Sequence, residues 1–256
     1  MIQPVQRSAA IVIIGNEVLS GKVEEANSAF LIRRFRELGV RLGRVEIIPD
    51  EVAEIGRAVR AASDTFDIVI TTGGVGPTHD DITMASIAEA FQVAVIRHPE
   101  LLTLIEAFFG PSTTEAHRTL ADVPEGAHLV GQERPPWPSV CFRNVYILPG
   151  IPKLMQARFN VFAGTFEGPP LFYGALELQA FEAEICDVLN DVVASSPTVE
   201  IGSYPRREGG TWFVRLTMEG PVREEVEETL RRLNDALGAR VHSVEKVTAT
   251  GESSTL

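Results

Sequence analysis

Two stretches of the chain are apolar almost without interruption, Ala9–Ile14 (AAIVII) and the body of Asp67–Thr72 (DIVITT), and each runs straight into a glycine. A strand with one face in water alternates apolar and polar residues. A run that does not alternate belongs to a strand covered on both faces. Helical spacing fills the sequence between the two runs. After Asn27-Ser28, the residues Phe30, Leu31, Phe35 and Leu38 fall on one face, and Gly39 follows as a C′ residue. Val45–Ile48 reads as a further strand, stopped by Pro49-Asp50. Val52, Ile55, Val59 and Ala62 then recur at helical spacing, with Glu51 and Glu54 where the helix dipole favours carboxylates. After Thr72 come the loop Gly73–Asp81 and a helix over about Ile82–Ala90. This order specifies an α/β domain of three layers, with a mostly parallel sheet in the middle.

The following stretch is less regular. A short strand is expected at Val93–Ile96, a helix at Pro99–Phe109, one strand over Ser139–Leu148 and a helix over Leu154–Val161. Arg134-Pro135-Pro136-Trp137-Pro138 fits neither a helix nor a central strand. Composition shifts at Gly164–Pro170, which sets the end of the first domain at residue 165. Residues 166–247 then read strand, helix, strand, strand, helix, strand, the ferredoxin-like α+β order. The polar stretch 248–256 is expected to be a frayed tail.

Charge excludes one large class of function. The 256 residues carry 23 Lys+Arg against 35 Asp+Glu, a net charge of −12, which is unsuited to sequence-independent binding of nucleic acid. No apolar run is long enough for a membrane span, and the first residues lack the layout of a signal peptide. The two cysteines, Cys141 and Cys186, have no metal spacing, lie in apolar contexts and are expected to be inert free thiols. A cytoplasmic protein without membrane or nucleic-acid partners is the expectation.

Chemistry concentrates in Gly73–Asp81, at the carboxyl end of a strand and the start of a helix, where open α/β sheets bind ligands. Gly73, Gly74 and Gly76 let the backbone approach a ligand, and the successive N–H groups suit a phosphate or diphosphate. Asp80 and Asp81 put carboxylates beside that anion, an arrangement that makes sense with a divalent cation between them. Asp50 ends a neighbouring strand and completes a candidate metal set of Asp50, Asp80 and Asp81. The competing reading makes the glycines a turn and Asp81 a helix cap. The spacing matches neither the Walker A loop nor the dinucleotide Gly-x-Gly-x-x-Gly. His79 is either a proton-transfer group or a surface side chain, Glu17 either reaches the site or packs in its own loop, and Trp137 either stacks on a ligand ring or packs. Arg206 and Arg207 read more simply as a solvated hairpin tip than as phosphate ligands.

The motifs also carry a resemblance. Thr72-Gly73-Gly74-Val75-Gly76-Pro77-Thr78-His79-Asp80-Asp81-Ile82-Thr83 resembles the signature of the molybdopterin-binding (MoaB/Mog-like) domain family. Gly15-Asn16-Glu17-Val18-Leu19-Ser20-Gly21 with Asn27, and Leu148-Pro149-Gly150-Ile151-Pro152, resemble the opening and closing motifs of its CinA branch (competence/damage-inducible protein A). Ser139–Pro152 and Ile201–Pro205 are most similar to the molybdopterin-binding-like region of eukaryotic FAD synthase. The likeness spans roughly residues 8–246.

The resemblance implies that Asp81 and Asp50 are the catalytic acidic positions. It implies that Thr72, Gly73, Gly74, Gly76, Pro77, Thr78, Thr83, Gly15, Glu17, Asn27, Pro149 and Gly150 line the ligand site. Asn16 stands where the family often has aspartate. FAD synthesis and nicotinamide mononucleotide deamidation belong to other domains of those relatives and are not expected of this chain. The ligands of the family share a diphosphate with AMP on one side. The expectation is therefore a pyrophosphatase using Mg²⁺, Mn²⁺ or Co²⁺ that releases AMP from FAD or ADP-ribose. The alternatives are binding or adenylylation of molybdopterin, and a non-catalytic nucleotide-binding module. Relatives suggest a homo-oligomer, dimer or trimer.

Overall fold

The computed structural model describes residues 6–131 and 137–250. It divides into two compact units, Met1–Gly168 and Pro169–Leu256.

In the first unit, β1 (Ser8–Ile14) is followed by the short α1 (Asn16–Leu19), α2 (Asn27–Glu37), β2 (Arg41–Ile48), α3 (Val52–Thr65) and β3 (Ile68–Thr72). Then come α4 (Thr83–Ala90), β4 (Val95–Arg97), α5 (Pro99–Phe109), α6 (Glu115–Arg118), β5 (Asp122–Pro124), β6 (His128–Val130), β7 (Ser139–Phe142), β8 (Val145–Leu148) and α7 (Pro152–Phe162). The main sheet has the order β2-β1-β3-β8-β7-β6. Its first four strands are parallel, and β7 and β6 are antiparallel.

The unbroken apolar run of β1 feeds both faces of this sheet. Ala10, Val12 and Ile14 pack with Ile55, Val59 and Ile87 of α3 and α4. Ala9, Ile11 and Ile13 pack with Leu31, Phe35, Met155 and Phe159 of α2 and α7. That is the three-layer arrangement expected. α2 ends as the glycine predicts: Gly39 has φ +69°, its amide donates to Arg36 O, and Val40 N donates to Phe35 O, the two bonds of a Schellman cap.

Two expectations change. Ser139–Leu148 is a hairpin rather than one strand. Arg143 makes the turn at φ +55°, and Asn144 fixes it by donating to Ser63 O (3.0 Å) and Phe66 O (2.7 Å). The strand expected at Val93–Ile96 is β4, which pairs with β5 in a separate two-stranded sheet.

The second unit holds β9 (Phe172–Leu178), α8 (Cys186–Ser195), β10 (Glu200–Glu208), β11 (Thr211–Gly220), α9 (Arg223–Leu237) and β12 (Val241–Ala249). Its antiparallel sheet has the order β10-β11-β9-β12, the ferredoxin-like topology. Leu176 and Leu178 of β9 pack with Val226, Leu230 and Leu233 of α9. Glu177 between them faces the other side of the sheet, where Arg206 Nη2 lies at 2.8 Å and Arg215 Nη1 at 3.7 Å. Arg206 is thus held by its own unit's carboxylates, Glu177 and Glu208.

The frayed tail does not begin at Thr248. β12 runs through Ala249, and Thr250 N donates to Leu171 O (2.7 Å); residues 251–256 lie outside the described residues. Of the two free thiols, Cys141 is buried in β7 and Cys186 is exposed, contrary to the apolar context expected for both. No helix among the described residues is long and apolar enough to cross a membrane.

Candidate functional site

The strands β1, β3 and β8 are neighbours, and the segments leaving their carboxyl ends meet backbone to backbone. Gly73 follows β3 with φ +104°, and a Cβ there would stand 2.0 Å from the carbonyl oxygen of Ile14. Its amide donates to Leu148 O (3.2 Å). A Cβ on Gly150 would lie 3.3 Å from Gly73 Cα. At Gly73 a positive φ and this close approach together require glycine.

Three residues expected to line the ligand site, Thr83, Asn27 and Thr72, also bond within the floor of the loop. Thr83 is buried; its hydroxyl donates to Gly73 O (2.9 Å) and its amide to Gly74 O (3.0 Å). Asn27 and Thr72 are buried as well. Asn27 Nδ2 donates to Gly150 O (2.8 Å) and approaches Thr72 Oγ1 (3.4 Å), which ties the opening motif to the closing one.

Beyond this floor the loop turns outward. The Thr78 amide donates to Asp81 Oδ2 (2.9 Å), and the Thr78 hydroxyl lies against both Asp80 and Asp81. That hydroxyl is the main reason the Asp80 carboxyl is held below its ordinary pKa. Asp81 Oδ1 has no hydrogen-bond donor among the described residues. The amides of Gly74, Val75 and Gly76 find no protein acceptor among the described residues. The expected cradle of Gly73–Thr78 therefore narrows to these three N–H groups, because both of its ends are already bonded. The His79 side chain is 97% exposed.

A cleft of about 520 Å³ opens between this loop and Pro149-Gly150. Its lining brings Gly73, Gly74, Gly76 and Asp81 together with Glu17, Trp137, Pro149, Gly150 and Arg158. The size is that of a small-molecule site. A second hollow of about 480 Å³ flanks the loop and takes in Pro77, Thr78 and His79, with Asp81 bordering both. Glu17 reaches the cleft from α1 with its carboxylate turned back over Gly15; a Cβ on Gly15 would meet its Oε1 at 2.7 Å.

Asp50 is placed differently. Its Oδ2 accepts from the amide of Asn16 (2.7 Å), satisfying the first turn of α1, and it is not part of the cleft lining. Among the described residues, no three Asp, Glu, His or Cys side chains gather as a metal cage. Asp80 and Asp81 share Thr78, whereas Asp50 serves α1. The two carboxylates that face one cleft are Asp81 and Glu17.

Sequence reasoning did not single out Arg158. It lies on α7 beside the buried stripe Met155, Phe159 and Phe162. Its Nε is buried with no hydrogen-bond partner among the described residues, and its guanidinium stands 6.0 Å from the Trp137 ring centroid. The available signal was an arginine four residues after Leu154, next to an apolar stripe.

Comparison with known proteins agrees with this architecture. Residues 10–167 match the model of the probable molybdopterin binding domain, and residues 170–245 match that of the FAD synthase middle domain. The chain belongs to the molybdopterin-binding domain family, in its CinA-like branch. It is 33% identical to a protein of Archaeoglobus fulgidus, over 89% of this chain and 96% of that one. It is 30% identical to a probable FAD synthase of Caenorhabditis elegans, over 93% of this chain but 51% of the relative, so the chain spans about half the nematode protein. The solved structure of CinA from Thermoplasma acidophilum superimposes with a TM-score of 0.58 at 27% identity, covering 63% of this chain and 98% of that one.

Proposed function

We propose that this chain hydrolyses a diphosphate that carries AMP, with FAD and ADP-ribose as the candidate substrates, and releases AMP. The observation that supports the reading best is a single one. Three consecutive amides without protein acceptors among the described residues, Gly74 to Gly76, border the same cleft as two carboxylates, Asp81 and Glu17.

The amides would accept the phosphate oxygens and stabilise the charge that builds on them as the phosphorus is attacked. Fixed in place by the bonds at Gly73 and Thr78, they need no reorganisation when the charge develops. Asp81 and Glu17 fit a divalent cation of the Mg²⁺, Mn²⁺ or Co²⁺ type. One or two carboxylates are the usual protein share when substrate phosphates supply other ligands. When bound, such an ion would neutralise diphosphate charge and lower the pKa of water. Thr78 orients Asp81 through Oδ2 and leaves Oδ1 for the ligand side. Asp80 sits at the outer edge of the loop, and Asp50 holds α1, and with it Glu17, in position.

A second reading follows from the family. A phosphorylated pterin would use the same three amides, so binding of molybdopterin is the alternative role of this cleft.

The test is AMP release from FAD and from ADP-ribose, each with Mg²⁺, Mn²⁺ or Co²⁺, by the chain and by Asp81→Ala. AMP formed by the unaltered chain and lost in the variant is the expected result. No AMP from any combination, with both proteins folded, overturns hydrolysis. Retained pterin fluorescence after oxidation would then favour the second reading.

A further inference from the structure

We infer that Arg158 is the cleft's second phosphate ligand, and that it selects a diphosphate over a monophosphate; this rests on the proposed use of the cleft for a diphosphate. Arg158 enters from α7, on the side of the cleft formed by Pro149-Gly150, while the free amides of Gly74–Gly76 belong to the facing loop. Its Nε is buried without a hydrogen-bond partner, and among the described residues no carboxylate pairs with it. Burial pushes its pKa down from the ordinary arginine value.

A guanidinium that is half-buried without an anion carries a desolvation cost, so its persistence favours a compensating partner. Packing supplies only part of it, through the face of Trp137 at 6.0 Å. The planar fork of arginine matches a phosphate through two parallel hydrogen bonds. The loop amides satisfy one phosphate, and Arg158 is placed to take the next. The carboxylates Glu17 and Asp81 share the cleft, yet neither forms an ion pair with Arg158, which leaves the guanidinium free for the ligand. Elsewhere, arginines such as Arg97, Arg206 and Arg231 each hold two carboxylates of their own unit.

The test compares α,β-methylene-ADP, whose diphosphate link resists hydrolysis, with AMP. Both are titrated with Mg²⁺ into the full chain, Arg158→Met and Arg158→Lys. The unaltered chain should bind α,β-methylene-ADP about tenfold or more tightly than AMP, as a charge-assisted hydrogen bond implies. Arg158→Met should bring the two affinities together, and Arg158→Lys should keep part of the preference. Without ligand, Arg158→Met should also raise Tm slightly, because it removes a half-buried charge that has no partner among the described residues. A preference unchanged in Arg158→Met overturns the inference. So does a fall in its ligand-free Tm, which would mark a structural arginine, and so does failure of the unaltered chain to bind the diphosphate. Diphosphate preference without AMP release from FAD or ADP-ribose would sink hydrolysis and leave this inference standing. AMP release with an unchanged preference in Arg158→Met would do the reverse.

Discussion

Among the described residues, the buried side-chain polar atoms without a partner are Asn27 Oδ1, Arg34 Nε, Thr71 Oγ1 and Arg158 Nε, and all four belong to the first unit. The second unit buries a full carboxylate, Glu177, but flanks it with Arg206 and Arg215 and passes the chain of charge on to Glu245. An unsatisfied buried polar group costs about 1–3 kcal/mol, so a fold tolerates few of them. Arg158 borders the cleft directly, and Asn27 holds the Gly150 carbonyl of its wall. Nothing in the structure explains the open atoms of Arg34 and Thr71. The contrast teaches where to look for ligands: an arginine matters for binding when its own fold has not already answered its charge. Arg206, which reads in the sequence more simply as a solvated hairpin residue than as a phosphate ligand, has been answered; Arg158 has not.

The largest expected effect tests whether the first unit depends on its tight floor. In Gly73→Ala the new Cβ meets a backbone carbonyl at 2.0 Å, and φ is +104°, so neither partner can rotate away. Strain and overpacking together should cost about 4 kcal/mol or more, and the cleft should lose ligand binding. Calorimetry should show thermal unfolding shifted to lower temperature; an unaltered thermogram would contradict the geometry.

The thiols give the next largest contrast. Burial pushes Cys141 up to about 11, whereas Cys186 is exposed. At pH 8 the thiolate fraction of Cys141 is about one in a thousand, and burial slows its reaction further. Iodoacetamide should label Cys186 in the native protein and reach Cys141 only after unfolding, as peptide mass mapping would show.

Glu177→Ala probes the closed network of the second unit. Removing one partner of a buried pair is strongly destabilising, but Arg206 and Arg215 remain 44% and 40% exposed and can turn to water. The expected loss is therefore about 1–2 kcal/mol, read by urea unfolding. No loss would mean that the network is ornamental and that the contrast between the units is weaker than drawn.

The smallest effect concerns acid. Asp67 Oδ2 accepts from the Ser8 amide and hydroxyl, each at 2.7 Å, and these bonds hold its carboxyl below its ordinary 3.8. A depressed carboxyl contributes stability that is present above its unfolded value and lost as pH falls through the lower folded one. Being largely solvent-screened, it should contribute a few tenths of a kcal/mol. Asp67→Asn should lower Tm slightly at pH 7, and the gap should close on titration below pH 4.

The main sheet of each unit was legible in the sequence because its strands carry the apolar pattern of their burial. β1 and β3 read as strands covered on two sides, and the second unit gave its element order by alternation and by Gly209-Gly210 between β10 and β11. The hairpin at β7 and β8 was hidden because Arg143-Asn144 is no standard turn signal; long-range bonds from Asn144 to Ser63 and Phe66 hold it. The glycine loop was legible as a backbone site, since three glycines in four positions state their purpose locally. The division of labour among the acids was not. Asp50 looks like a ligand in sequence, but a helix of only four residues, too short to leave a periodic signature, takes up its carboxylate. Arg158 was equally hidden, because the lack of a partner is a property of three dimensions that no spacing encodes.

The meeting of Ile14, Gly73 and Gly150 has a consequence for timing. Its three backbones come from the beginning, middle and end of the first unit, so the cleft floor closes two long loops in succession. Contacts so distant in sequence carry a large closure entropy and tend to form late. A chain emerging from the ribosome would have β1, β2, β3 and most of its helices before it had any place to hold a phosphate. Ligand capture would then report that the last parallel strand, β8, has docked, and a nucleotide present during synthesis would lock the finished unit without steering its earlier steps.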